Sequence, residues 1–87
     1  MDERKTYNIS LIGRSFKLSS SENEEHVQRV AKMAENSMSE TMMLDKRISF
    51  ETAAAVTALR FSEEIIRLQD DLTRLRRELA DARNKDT

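Results

Sequence analysis

At 87 residues the chain suffices for one small domain and not for two, and 15 Lys+Arg against 16 Asp+Glu leave a net charge of −1, which excludes a general polyanion-seeking field. The hydrophobic fraction is 38% and the charged fraction 36%, against roughly 25% charged in ordinary globular chains, so a large private core is excluded and long solvated helices are favoured. No Pro and one Gly leave too little punctuation for a flexible linker or a strand-rich sandwich, and the absence of Cys removes disulfides, thiolate nucleophiles and Cys-based zinc sites.

The start, Met1-Asp2-Glu3-Arg4-Lys5, lacks the apolar stretch of a signal peptide, and the uncharged run Thr52 to Leu59 falls far short of the ~20 apolar residues of a membrane span. A soluble, cytoplasmic protein is expected. In Tyr7-Asn8-Ile9-Ser10-Leu11 apolar and polar residues alternate with the period of a half-buried strand, and Phe16 and Leu18 on either side of Lys17 repeat the signal. Between them Ile12-Gly13-Arg14 holds the single glycine, so the pattern predicts a hairpin over about residues 6–18. A two-stranded ribbon is marginal alone and must be covered or extended.

Ser21-Glu22-Asn23-Glu24 fits a capping box, which predicts a helix over about 22–44. Val27, Val30, Ala31, Ala34, Met38 and Met42 form its apolar stripe, suited to lie on the hairpin. Asp45-Lys46-Arg47-Ile48 breaks the period. Ser49 then caps a second helix with Glu51 in its first turn, Ile48 and Ala53 as a hydrophobic staple, and no breaker before the terminus. In that helix Phe61, Ile65, Leu68, Leu72, Leu75, Leu79 and Ala82 alternate four and three apart, the seam of a coiled coil.

With Ile65, Leu72 and Leu79 at heptad position a, acids (Glu64, Asp71, Glu78) occupy g, and Gln69, Arg76 and Arg83 occupy e. A parallel pair then sets Asp71 against Arg76 and Glu78 against Arg83 across chains, whereas an antiparallel pair opposes like charges. A weaker stripe through Leu59 and Ile66 can join a second dimer or cover the head. On the charged faces, Glu63 to Arg67 and Asp70 to Arg74 have the favourable four-apart order. The expected fold is α+β: a head over 1–48, then a long helix over 49–87 that packs on the head at its start and forms a coiled coil from about residue 58.

Candidate chemistry is sparse. His26 with Glu22 supplies two ligands at most, Gly13 alone cannot cradle a phosphate, and Ser19, Ser20 and Ser21 have no neighbouring base. No enzyme activity, metal or cofactor is expected. Acids surround the cluster Arg74, Arg76 and Arg77, which reads as solvated helix surface rather than a nucleic-acid contact. Met38 and Met42 fit the core, leaving Met33 and Met43 as possible contact residues. Arg14 at the hairpin tip, Lys17 on the second strand, and Lys46 and Arg47 between the helices gather positive charge on the head without a matching acid run; ordinary solubilising charge accounts for them equally well.

Asn8-Ile9-Ser10-Leu11-Ile12-Gly13-Arg14-Ser15-Phe16, then Val30-Ala31, Met38-Ser39-Glu40, and Ala53-Ala54 leading to Ala58-Leu59-Arg60-Phe61-Ser62-Glu63-Glu64-Ile65, occur in an order that resembles the ZapA family of bacterial cell-division proteins. The resemblance runs from about Tyr7 to Leu72. It departs at Arg60 to Glu64, where family members commonly carry Asn-Ile-Ala-Asp-Glu or close to it. It implies a hairpin-and-helix head, a C-terminal coiled coil, and dimers pairing tail to tail into antiparallel tetramers. It also implies that the heads bind the tubulin-like protein FtsZ and cross-link or align its protofilaments at midcell, with no nucleic acid and no membrane as partner. The family's turn arginine falls on Arg14, a basic strand position on Lys17, and the contact charges of the loop and helix start near Lys46, Arg47 and Glu51. Self-association falls on Phe61, Ile65, Ile66, Leu68, Leu72, Leu75 and Leu79. The alternative is a homodimeric DNA-binding or nucleoid-associated regulator, disfavoured by the net charge and the missing basic recognition helix.

Overall fold

The computed structural model describes residues 3–85; the expected chain start at residues 1–2 and the last two residues of the expected long helix lie outside the described residues. In order the elements are β1 (Lys5–Leu11), β2 (Arg14–Ser20), α1 (Glu24–Leu44) and α2 (Phe50–Lys85), the α+β arrangement of a hairpin followed by two helices. The chain divides into two compact units, Met1–Thr57 and Ala58–Thr87.

The strands pair antiparallel from Lys5 opposite Ser20 to Leu11 opposite Arg14, so each outlasts the expected 6–18 span at its outer end. Two residues close the ribbon: Ile12 at φ 49° and Gly13 at φ 77°. Consecutive left-handed residues make the twist-matched hairpin turn. Gly13 adopts this conformation freely, but a β-branched residue there is strained. The Ile12 N–H donates to Glu35 Oε2 of α1 at 2.9 Å, a charge-assisted bond that holds the turn closed on the helix. At the other end of the ribbon the Tyr7 hydroxyl donates to the Glu22 carbonyl at 2.8 Å.

Opposed residues share a ribbon face. Tyr7, Ile9 and Leu11 of β1 are half-buried and share theirs with Leu18, Phe16 and Arg14, while Asn8, Ser10, Ser15 and Lys17 occupy the exposed face. β1 packs on α1. There Val27, Ala31, Met38 and Thr41 are buried, and Ala34 and Met42 are half-buried. Val30, expected in this stripe, is 48% exposed: at 100° per residue it falls roughly 60° from the stripe's centre, at its edge. Thr41 tolerates burial because its hydroxyl donates to the Ser37 carbonyl at 3.0 Å.

α1 begins two residues later than the capping box predicts. Asn23 is the N-cap, its side-chain oxygen accepting from His26 N–H at 2.8 Å, while Ser20 Oγ accepts from Glu22 N–H and turns the chain ahead of the helix. Asn23 wins over Ser21 because its carbonyl reaches the donor at N3 and leaves Glu24 and Glu25 at the positive end of the helix dipole. The helix ends at Asp45, whose extended backbone and side chain order the following loop. Ser49 caps α2 as expected, its Oγ accepting from Thr52 N–H at 3.1 Å. Ala53 and Thr57, one turn apart, are both buried, and Thr57 Oγ1 donates to Ser37 Oγ of α1 at 3.2 Å.

Two tests follow from these caps. Asn23→Ala should destabilise the protein by about 1 kcal/mol, with Ser21→Ala within about 0.5 kcal/mol of wild type, in urea unfolding at fixed chain concentration; the reverse order would restore Ser21 as the cap. Glu35→Ala, by stranding the Ile12 amide of a strained turn, should cost about 1–3 kcal/mol in the same assay.

Candidate interaction site

The five contact residues that the resemblance implicates do not form a single basic patch. Arg14 heads β2 and opposes Leu11, on the apolar face of the ribbon; Lys17 opposes Asn8 on the other face. Three residues along a strand reverse the side-chain direction, so the two cations diverge. Nor does Arg14 project free of apolar contact from the hairpin tip. Its guanidinium carbon lies 4.2 Å from the centre of the Phe50 ring, and Nη1 donates to Glu51 Oε1 at 3.0 Å. Phe50 in turn stacks on Phe16, with ring centres 5.9 Å apart and planes 15° from parallel. Ser49 sets this up: by starting α2 it places Phe50 and Glu51 in the first turn.

Two of the bases expected to lack a matching acid run are therefore paired with single acids, Arg14 with Glu51 and Arg47 with Asp45. Glu51 is held below the usual carboxylate range first by its own backbone N–H at the helix start and then by Arg14. Arg47 is paired as well, through Nη2 at 2.8 Å and Nε at 3.2 Å to the Asp45 carboxylate, which also accepts from the Arg47 backbone N–H. That grip lowers the Asp45 pKa and raises that of Arg47. Arg14, Glu51 and Arg47 are solvent-exposed and Asp45 partly so; water therefore screens the pairs and they contribute geometry more than energy. Lys17 and Lys46 have no ion-pair partner among the described residues.

Sequence reasoning missed Phe50. An aromatic directly after a capping serine, outside the heptad register, was the available signal. Met33 and Met43, the two contact candidates on α1, are exposed.

In the second unit the apolar seam stands open. Ile65, Leu68, Leu72, Leu75 and Leu79 are each about half exposed, with Leu72 at 48% and Ile65 at 54%; Phe61 is half-buried. Ile66 of the weaker stripe is 58% exposed, and Leu59 more so. The intrahelical pairs differ from those expected: Arg67 bonds Glu64, and Arg74 reaches Asp71 at 3.5 Å and Glu78 at 3.8 Å. Acids three residues before an arginine lie as close on a helix as those four before, so the g-position acids take the place of Glu63 and Asp70. Among the described residues no helix is long and apolar enough to cross a membrane, and no three His, Cys, Asp or Glu side chains are grouped to hold a metal.

Comparison with curated protein sequences returns no match. Among solved structures, a ZapA mutant dimer from Geobacillus stearothermophilus is similar in fold, at 20% identity with a TM-score of 0.74, over 91% of this chain and 92% of that one. The family model for cell division protein ZapA matches residues 7–86. With nearly its whole length matched in this way, the chain belongs to the ZapA family of cell division proteins.

Proposed function

We propose that this ZapA-type protein is a non-enzymatic cross-linker that binds FtsZ filaments through its heads and aligns them at midcell, in the cytoplasm at the division septum. The heads, over about 1–48, would supply the contacts, and the long helix the assembly: a parallel coiled-coil dimer through Phe61, Ile65, Leu68, Leu72, Leu75 and Leu79, and an antiparallel pairing of dimers through Ile66. The observation that carries this reading is the open seam on α2. Fully burying a Leu or Ile contributes about 1.5–3 kcal/mol, so a row of such side chains outweighs the association entropy that the flanking charges alone could not offset. Those charges set direction and register instead.

FtsZ contact is assigned to Arg14, Lys17, Lys46, Arg47 and Glu51. Family membership supports this, as does the surface exposure of all five residues. Since Arg14 and Lys17 occupy opposite ribbon faces, they would touch different parts of a filament or only one of them would touch it. A α2 of 36 residues is roughly 54 Å long at 1.5 Å per residue, ample for the overlap of two dimers.

The decisive experiment is co-sedimentation with FtsZ polymerised by GTP, with bundles scored by electron microscopy. The wild-type chain should pellet with the polymer and bundle it; a chain left in the supernatant while retarding DNA would overturn the reading in favour of the nucleic-acid alternative. Leu72→Glu buries a charge in the seam, at a cost of several kcal/mol per ion. Light scattering should then show a smaller species, and bundling should disappear while some binding by single heads survives. Ile66→Glu should release dimers with folded heads, judged by near-wild-type unfolding of the head. Should both variants yield the same species, the two-interface assembly is wrong.

A further inference from the structure

Arg14 differs from the other candidate contact cations: its guanidinium packs on an aromatic ring and holds a carboxylate at once. The guanidinium is held over Phe50 at 4.2 Å, Phe50 is backed by Phe16, and Nη1 is tied to Glu51. Neither Nε nor Nη2 of Arg14 has a hydrogen-bond partner among the described residues. Those two atoms form the guanidinium edge that takes a carboxylate through two parallel N–H bonds. The side chain is 56% exposed, so a partner can reach that edge. The donors are thus oriented before any partner arrives, which removes most of the ordering cost of a long flexible side chain.

We infer that Arg14 is a preoriented receptor for one carboxylate side chain of the partner, with Phe50, Phe16 and Glu51 as positioning residues. This deepens the proposed filament contact and rests on it for the identity of the partner. Glu51, assigned to the contact above, also acts through Arg14: it occupies Nη1 and leaves Nε and Nη2 for the partner. Phe16, 39% exposed beside Arg14, suits an apolar side chain next to the acid, so the chemistry recognised is a Glu or Asp flanked by an aliphatic residue. Lys17 and Lys46 have no such frame and attract acid without selecting it.

The test separates a fixed guanidinium from a mere positive charge. Arg14→Lys keeps the charge but can neither stack flat nor present two parallel donors; it should weaken FtsZ co-sedimentation about tenfold, the equivalent of ~1.4 kcal/mol. Phe50→Leu keeps the apolar bulk and should lose a similar share, with the double variant Arg14→Lys/Phe50→Leu no worse than Arg14→Lys alone. Thermal unfolding of each variant shows whether the head is intact, and Phe50→Tyr, which retains the ring, should bind more tightly than Phe50→Leu. Independently of FtsZ, the Arg14 Nε–H resonance of labelled wild-type protein should shift on titration with an acetylated, amidated Leu-Glu-Leu peptide, and fail to shift with its Leu-Gln-Leu counterpart. Wild-type co-sedimentation by Arg14→Lys, or an Arg14 resonance indifferent to the acidic peptide, would overturn the receptor while leaving the filament reading intact. A shifted resonance in a chain that does not pellet with FtsZ would do the opposite.

Discussion

A core of four buried apolar side chains among the described residues, Val27, Ala31, Met38 and Ala53, has to hold a two-stranded ribbon against a helix. That scarcity governs the rest of the head. A ribbon of this size is marginal by itself, so its register and attachment rest on polar fixtures at its two ends: the Tyr7 hydroxyl on the Glu22 carbonyl and the Glu35 carboxylate on the Ile12 amide. Ile12 in the left-handed region is intelligible only with the second of these. The strain of a β-branched residue is offset by a charged acceptor and by the half-buried position of its side chain, which a turn asparagine would give up.

The same scarcity explains the second strand of the ribbon. β1 is used up against α1, so the aromatic of β2 finds its partner in the first turn of α2, and the stack of Phe16 on Phe50 supplies apolar contact that a thin core cannot. Arg14 is drawn into the stack because it opposes Leu11 and therefore shares the face of Phe16. A residue that charge patterning treats as solvent-directed is thereby part of the packing.

What could be read in the sequence follows from range. Periodicity is local, so the alternation at Tyr7 to Leu11, the Ser49 cap and the heptad row from Phe61 to Leu79 appear in the structure as elements of the expected type. The choice of Asn23 over Ser21 turned on which of several adjacent cap-competent side chains reaches a donor three residues ahead, a matter of backbone angles that composition does not encode. The partners of Arg14 lie 36 and 37 positions away in Phe50 and Glu51, and no spacing rule spans a hairpin and a helix. Faces are the other gap: charge alone groups Arg14 with Lys17, whereas the strand's period of two sets them on opposite faces.

In the proposed assembly, the division of labour between the units has a physical rationale. A seam of branched aliphatic side chains gains free energy from area, without direction, and is little affected by salt. A contact built on one oriented guanidinium gains little by itself, depends on angle, and is screened beyond roughly 8 Å at physiological ionic strength. Joining the two makes each head weak and each particle strong, because once one head has bound a filament the other meets its sites at the effective concentration fixed by the coil. Cross-links of this kind hold as a population yet release singly. A single tight head would hold as well but would dissociate slowly, so strengthening the seam and not the head raises the particle's hold while each contact stays reversible.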